Sequence, residues 1–220
     1  MLEVLARTER WVVVNKPSGL AVHQSARVRD RDTVMRFARR QFGDRVDPVH
    51  RLDRATSGCL LLSLDPQHTG ELAAAHSGSE KVYVVFVRGR MTLGELRCEA
   101  PLRDDRGIER SAVTVFTAVA SSAEPRVSLV LARPVTGRTH QIRRHLRDLS
   151  HPVLGDSSHG DTRVNQWFRA QYGLGRLALH CASLRVAGEV EVRAPLAPEL
   201  RAFGERLPWW AEVASTVEVG

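Results

Sequence analysis

The chain has 220 residues and a mass of 24.5 kDa, enough for a core that needs no disulfide or metal to hold it. Hydrophobic residues make up 43% and charged residues 26%, which is ordinary for a globular protein, and the regular apolar runs without low-complexity tracts exclude a disordered chain. The 32 Lys and Arg residues outnumber the 25 Asp and Glu residues, and the net charge of +7 favours an acidic partner such as nucleic acid.

The cysteines and the chain start predict a cytoplasmic protein. The chain has three widely spaced cysteines, Cys59, Cys98 and Cys181. An odd number at such spacing is typical of proteins in a reducing compartment and not of a secreted disulfide framework. No uncharged apolar stretch approaches the ~20 residues that span a bilayer. The first residues lack the apolar core of a signal peptide. We therefore expect no membrane partner.

Apolar runs and turn residues predict the elements in chain order. Strands are predicted at Trp11–Asn15, Cys59–Leu64, Val82–Val87, Ala112–Ala120, Val127–Ala132, Leu177–Val186 and Glu189–Arg193. Helices are predicted at Thr33–Phe42 with Asp32 as its cap, from Asp65 or Pro66 to about Ala75, at Thr139–Leu149, and at Pro198–Arg206. Asp104–Arg110 is predicted to be a surface loop, and Ala187-Gly188 resembles a hairpin turn.

The order of these elements predicts the fold class. Strands follow strands, and helices are inserted singly, which favours an α+β fold with a central mixed, mainly antiparallel sheet flanked by helices and loops. No composition shift marks a linker, so residues 1–220 are expected to form a single catalytic domain.

Lysine is rare enough in this chain to draw attention to its two positions. Only Lys16 and Lys81 among the 32 basic residues are lysines. A codon bias explains the excess of arginine. A site that needs a compact ammonium, and not a planar guanidinium, would explain why these two positions remain lysine.

The segment His50-Arg-Leu-Asp-Arg-Ala-Thr-Ser-Gly58 stands directly before a predicted buried strand, where active-site side chains are common. Asp53 lies between Arg51 and Arg54 in this segment. In one interpretation Asp53 caps a turn and the arginines face solvent. In the other, the cations keep Asp53 ionised and nucleophilic.

The segment Gly137-Arg-Thr-His-Gln-Ile-Arg-Arg-His145 opens a predicted amphipathic helix. His140, Arg143 and Arg147 form a polar stripe beside the apolar one. Such a stripe is often a solvated basic face. The alternative is that Arg143 pairs with a buried carboxylate while its neighbours hold phosphates.

Other classes of site find no support in the sequence. The late histidines lack the spacing of a zinc site, and no Gly-rich phosphate loop or GxSxG elbow occurs. Metal, nucleotide-cofactor and serine-hydrolase interpretations are therefore rejected. Tyr83, at the start of a predicted strand, is either a core residue or a platform for an extruded base.

The combined motifs closely resemble the RNA pseudouridine synthases of the ribosomal large-subunit synthase A family. Six segments match in the family's order and cover most of residues 11–185: Val14-Asn-Lys-Pro-Ser-Gly-Leu20, His50–Gly58, Lys81-Val-Tyr83, Gly137–Arg143, His151-Pro-Val-Leu-Gly-Asp156 and Leu177-Ala-Leu-His180. The HRLDxxTSG stretch is highly specific by itself. The resemblance implies an enzyme that isomerises uridine in RNA to pseudouridine, with no metal or cofactor.

The same resemblance assigns roles to individual residues. Asp53 is implied to be the nucleophile, Tyr83 to stack on the uracil, and Arg143 to pair with Asp53. Arg51 matches the arginine that replaces the extruded nucleotide, and Leu179 is implied to line the base pocket. The other residues expected to bind RNA or help to flip the base are Lys16, Arg54, Lys81, Arg138 and His140.

A finer resemblance concerns the substrate. His159–Asn165 and Tyr172–His180 are similar to the tRNA pseudouridine synthase C branch, which modifies uridine-65 of tRNA. The resemblance therefore implies a tRNA partner. We also expect a monomer, and the chain leaves no room for the N-terminal S4-like RNA-binding domain of some relatives. The alternatives are a synthase that acts on ribosomal RNA or on several RNAs, and a non-catalytic RNA-binding or RNA-folding factor.

Overall fold

The computed structural model describes residues 1–24, 32–77, 80–186 and 190–218, which form twelve strands and six helices. The strands are β1 (Glu3–Arg7), β2 (Trp11–Lys16), β3 (Asp47–Pro48), β4 (Ser57–Ser63), β5 (Lys81–Arg88), β6 (Gly94–Cys98), β7 (Leu102–Arg103), β8 (Glu109–Arg110), β9 (Thr114–Ser122), β10 (Val127–Pro134), β11 (Leu179–Val186) and β12 (Val190–Arg193). The helices are α1 (Val34–Phe42), α2 (Thr69–Ser77), α3 (Gln141–Asp148), α4 (Thr162–Tyr172), α5 (Pro198–Gly204) and α6 (Trp210–Glu218). None of these helices is long and apolar enough to cross a membrane.

The chain divides into two compact units. Unit 1 contains Met1–Lys81 and Cys181–Pro195, and unit 2 contains Val82–His180 and Leu196–Val219. Because the sequence has no composition shift at these boundaries, they are not recognisable as linkers. The single catalytic domain expected over residues 1–220 stays a prediction.

The core of unit 1 is built on β2 and β4. These strands pair antiparallel from Trp11 opposite Ser63 to Lys16 opposite Gly58, and the strand order is β1-β2-β4-β11. All seven residues of β4 are buried. Its continuous apolar sequence predicted a strand covered on both faces, and the structure confirms this.

Gly58 is required where β4 passes β11. Its φ angle is +106°, and a Cβ atom at this position would overlap the backbone carbonyl of Cys181. A side chain is therefore excluded both by the left-handed backbone and by the close approach of the neighbouring strand. This explains the glycine that ends the HRLDRATSG segment.

Unit 2 contains a second antiparallel run of strands in the order β5-β10-β9-β6. Phe86 of β5 packs against the C-terminal helices, with its ring 5.1 Å from Phe203, 6.5 Å from Trp209 and 6.3 Å from Trp210. Both tryptophans are buried. They therefore contribute to the core, as expected for adjacent large aromatic residues.

The elements confirm the α+β class with a mainly antiparallel sheet, and several boundaries differ from prediction. Thr33, and not Asp32, caps α1, because the Thr33 side chain accepts from the Arg36 amide while Asp32 pairs with Arg36 at 2.8 Å. Helix α2 begins at Thr69, after a turn held by the Asp65 carboxylate. The predicted turn at Ala187-Gly188 lies outside the described residues.

Candidate active site

The loop that carries Asp53 is held by hydrogen bonds on both sides of that residue. Ahead of Asp53, the Leu61 amide donates to His50 Nε2 at 3.1 Å. Behind it, the Thr56 amide donates to the Asp53 backbone carbonyl at 3.0 Å and closes a turn. The Asp53 side chain is half-buried and Arg51 is exposed. The loop thus presents a carboxylate and a guanidinium from a fixed backbone.

Lys16 holds the N-terminal part of this site from inside the protein. Its side chain is fully buried, and its Nζ donates to the carbonyls of Pro17 at 2.9 Å, Leu20 at 2.7 Å and Arg54 at 3.0 Å. An ammonium has three donors that point in different directions, which suits three separate carbonyls. These three contacts agree with the explanation that position 16 holds a lysine because it needs a compact ammonium, which stays a prediction.

Arg54 completes the link between the two loops. Its Nε donates to the Gly19 carbonyl at 2.9 Å, and its own carbonyl accepts from the Gly19 amide at 2.9 Å. We call Lys16, Gly19, Leu20 and Arg54 the clasp. Because Lys16 is buried in the clasp, it shapes the backbone beside Asp53. The direct RNA contact predicted for Lys16 does not match this position.

The first residues of β5 carry the other lysine and the predicted stacking residue. Burial lowers the pKa of the Lys81 ammonium, and the nearby Cys181 opposes this change. Tyr83 is 8% exposed and stands opposite Ala132 in the pairing of β5 with β10. This burial agrees with the alternative of a core tyrosine, and the stacking role stays a prediction.

Arg143 on α3 forms a buried, two-pronged ion pair with Asp156. Arg143 Nε lies 2.7 Å from Asp156 Oδ2, and Nη2 lies 2.8 Å from Oδ1. The side chains are 7% and 0% exposed. The sequence-based alternative in which Arg143 pairs with a buried carboxylate is confirmed with Asp156 as that carboxylate. The pairing of Arg143 with Asp53 stays a prediction.

Asp156 is held as a carboxylate. Burial alone would raise its pKa, but the hydrogen bonds and charge of Arg143, together with the amides of Ser158 and His159, bring the pKa below its usual value. Both amides lie 2.9 Å from Oδ1. The pair therefore remains charged throughout the neutral pH range.

Gln141 fixes the segment in front of Arg143. Its Oε1 accepts from the Thr136 hydroxyl at 2.6 Å and from the Arg138 amide at 3.0 Å, and its Nε2 donates to the Val113 carbonyl at 2.9 Å. The Arg138 side chain is exposed, with its Nε 3.0 Å from the Ser111 carbonyl. Arg138 thus lies on the surface, and its exposed side chain is accessible to an RNA ligand.

His140 stands at the N-terminus of α3 in a left-handed conformation, with φ of 53°. Its Nδ1 lies 3.0 Å from Nε2 of His159, and the two rings meet edge to face. His140 is therefore the residue before the helix and not a member of the helical stripe expected from its spacing. Burial lowers the pKa of His159, which the Asp156 charge opposes.

The predicted site residues are divided between the two units. Unit 1 holds Asp53 with the clasp and Lys81, and unit 2 holds Tyr83, Arg143, Arg138, His140 and Leu179. Leu179 is buried, 3% exposed, at the start of β11. Among the described residues, no three His, Cys, Asp or Glu side chains are grouped so that they could hold a metal ion.

Sequence reasoning gave no role to Asp156, Gln141 or Asn165. Asn165 Oδ1 accepts from the Gly155 amide, and its Nδ2 donates to the Asp156 carbonyl, each at 2.9 Å. The Gly155-Asp156 ending of one matched segment was the available signal, since a glycine followed by an aspartate indicates a tight turn. Its partner on α3 was not identifiable from spacing alone.

The sequence matches known proteins over nearly its full length. Residues 10–148 match a family model described as RNA pseudouridylate synthase. The tRNA pseudouridine synthase C of Vibrio vulnificus is 34% identical over 95% of this chain and 96% of its own. The protein of the same name from Pasteurella multocida is 37% identical over 83% of this chain and 84% of its own.

Solved structures agree with the sequence matches. Human RNA Pseudouridylate Synthase Domain Containing 1 superposes with a TM-score of 0.75 and 26% identity, over 92% of this chain and 87% of that one. Human RNA Pseudouridylate Synthase Domain Containing 4 has the same fold, with a TM-score of 0.75 and 23% identity over 93% of this chain and 92% of its own.

Proposed function

This chain belongs to the RNA pseudouridylate synthase family and is an isomerase that acts on RNA, and from that premise we propose that its substrate is tRNA, at uridine-65. The observation that carries the proposal is the match to proteins named tRNA pseudouridine synthase C over most of both chains. The net charge of +7 supports a polyanionic substrate. The three cysteines are thiols, which supports a cytoplasmic location. We also propose that the protein is a monomer.

Asp53 is the proposed nucleophile. Its carboxylate forms a covalent bond to the flipped uridine, either to the sugar or to the base, the bond between C1′ and N1 breaks, and the base rotates. A bond from C1′ to C5 then forms, C5 loses its proton, N1 gains one, and the carboxylate is released. No atom is gained or lost in this sequence of steps, so the reaction needs no net oxidant or reductant.

The other proposed roles concern the flipped base. Tyr83 stacks on the uracil and assists the proton transfer, Arg143 pairs with Asp53, and Leu179 lines the base pocket. Arg51 fills the gap left in the RNA, which offsets the few kcal/mol that unstacking costs. The exposed side chains of Arg51 and Arg138 support contacts with RNA. The same role is proposed for Arg54, Lys81 and His140.

The test uses Asp53→Asn with Asp44→Asn as a matched control. Asp44 is an exposed carboxylate in the same unit. Each purified protein is incubated with unmodified tRNA and ribosomal RNA transcripts, and pseudouridine is mapped by carbodiimide-dependent reverse-transcription stops. RNA binding is measured in parallel. We expect one stop in the tRNA T-stem for the wild type and for Asp44→Asn, and none for Asp53→Asn with binding retained.

The other outcomes separate the alternatives. A stop found only in ribosomal RNA would refute the tRNA assignment and retain the chemistry. Binding without a stop in any RNA would support a non-catalytic RNA-binding factor. Pseudouridine formed by Asp53→Asn at the wild-type rate would refute the nucleophile assignment.

A further inference from the structure

The buried pair of Arg143 and Asp156 has a geometry that fixes the direction of the guanidinium. An arginine side chain has several rotatable bonds, and a single hydrogen bond leaves it able to turn. Here two parallel bonds join Nε and Nη2 to the two carboxylate oxygens, at 2.7 and 2.8 Å. Such a fork sets the plane of the guanidinium as well as its position.

Asp156 can set that plane because it is itself immobilised. Its Oδ1 accepts from two backbone amides, and its backbone carbonyl accepts from Asn165 Nδ2 at 2.9 Å and from the Gly160 amide at 3.1 Å. The Asp156 carboxylate therefore has little freedom to move, and it restrains the Arg143 guanidinium that it contacts.

The segment before Asp156 is tied to the sheet of unit 2. The Leu154 amide donates to the Phe86 carbonyl at 2.9 Å, and the Ala178 amide donates to the Leu154 carbonyl at 2.8 Å. Gly155 has a φ of +74°, and a Cβ there would overlap the Arg176 carbonyl. These contacts fix the backbone before Asp156 relative to β5, and the turn at Gly155 leaves no room for a side chain.

Stability alone does not account for this arrangement. Burying two charges costs desolvation energy, and replacing a buried ion pair by apolar residues is often neutral or stabilising. The surrounding core of unit 2 is apolar, so apolar side chains at positions 143 and 156 would be compatible with it. A charged pair at this position is better explained by what it does to Arg143.

We propose that Asp156 is a positioning residue for catalysis, which holds the Arg143 guanidinium in its working orientation. The inference rests on the proposed function, because it takes Arg143 as part of the reaction site. Asp156 acts on the reaction through Arg143, and removing its carboxylate removes the two-pronged bond that sets the plane of the guanidinium. The expected loss is in the rate of the chemical step and not in the affinity for RNA.

The first test compares Asp156→Asn with Asp148→Asn. Asp148 belongs to α3 and pairs with Arg147 at 2.6 Å, but both side chains are more than 40% exposed. With saturating enzyme, the single-turnover rate of Asp156→Asn should fall about 100-fold, as misplacement of a reacting group by an ångström can cost. RNA binding should change less than about threefold, and Asp148→Asn should match the wild type, because exposed pairs contribute little.

A double variant distinguishes positioning from a general structural effect. In an Arg143→Met background, adding Asp156→Asn should produce no further loss of rate, because the group that Asp156 orients is already gone. Independent, multiplied losses would overturn the proposal. So would an Asp156→Asn protein that, corrected for its folded fraction, reacts at the wild-type rate.

A milder variant tests the proposal if Asp156→Asn does not fold, and a spectroscopic measurement tests it without relying on activity. If Asp156→Asn does not fold, Asn165→Ala removes one bond to the Gly155 amide and one to the Asp156 carbonyl, and its rate should fall about tenfold with unchanged RNA affinity. An unchanged rate would overturn the proposal. The ¹⁵N–¹H signal of Arg143 Nε should be slow to exchange in the wild type and lose protection in the folded variants. That result is independent of activity, so it separates failure of this inference from failure of the proposed function.

Discussion

Replacing Lys16 by methionine tests whether one buried ammonium organises the backbone beside Asp53. The variant keeps the length and the apolar stem of the side chain but removes three donors, which lie 2.7–3.0 Å from three carbonyls. Lys16→Arg is the informative partner, because it keeps the charge and replaces the compact ammonium by a larger planar group.

The expected cost follows from the acceptors that are left behind. A buried acceptor without a partner costs about 1–3 kcal/mol. Pro17 and Arg54 lie near the surface, so water can reach part of this region, and the low end of that range applies. Three acceptors then cost about 3 kcal/mol, from which the relief of no longer burying a charge subtracts. We expect Lys16→Met to lose about 2–3 kcal/mol, and Lys16→Arg to lose about 1–3 kcal/mol by overpacking.

Urea unfolding at pH 7 measures both losses, with Arg90→Met as a control for removing an exposed cation. Single-turnover pseudouridine formation, corrected for folded protein, should also fall in both variants, because Arg54 directly follows Asp53. Free energies of unfolding within 0.5 kcal/mol of wild type for Lys16→Met, roughly the scatter of surface substitutions, would refute the reasoning. So would Lys16→Arg being as stable as wild type.

Two further predictions concern stability. Gly58→Ala should cost more than about 3 kcal/mol, since the new Cβ meets the Cys181 backbone, whereas Gly107→Ala, also at positive φ but in open space, should cost about 1 kcal/mol. Equal urea midpoints would contradict this. Burial lowers the pKa of His145, so its stabilisation is complete above pH 6.5 and is lost as pH falls through its folded pKa. The His145→Gln protein should therefore lose less stability than wild type between pH 7.5 and 5.5; equal losses would refute it.

The sequence predicted the interior strands well and the surface elements poorly. Strand β4 is a short continuous apolar run between turn residues, and this combination favours a strand buried on both faces. Helix α4 was not predicted, because its sequence is polar and its one buried residue is Phe168. Strand β6 was also missed, since its exposed residues have no apolar alternation and it exists through pairing with β9. Tertiary contacts, and not local pattern, define both elements.

The site shows the same division between local and distant causes. The rarity of lysine drew attention to position 16 and suggested a compact ammonium there, because the chemistry of three donors is local to one side chain. The identity of its acceptors was not available, since Arg54 lies 38 residues away. The expectation that Lys16 contacts RNA came from its motif, and burial in the clasp gives that motif position a structural explanation.

Arg143 illustrates why a charge can be predicted when its partner cannot. The helix pattern left open a solvated basic face or a pair between Arg143 and a buried carboxylate, and the resemblance named Asp53 as its partner. From the sequence alone, any acidic residue that the fold brings near α3 could have been the carboxylate that pairs with Arg143. The choice of Asp156 depends on Gly155 passing the Arg176 backbone and on Asn165 holding the turn, which are contacts across 10 to 21 residues. The same contacts make the pair rigid, so the features hidden from sequence are those that would give Arg143 its direction.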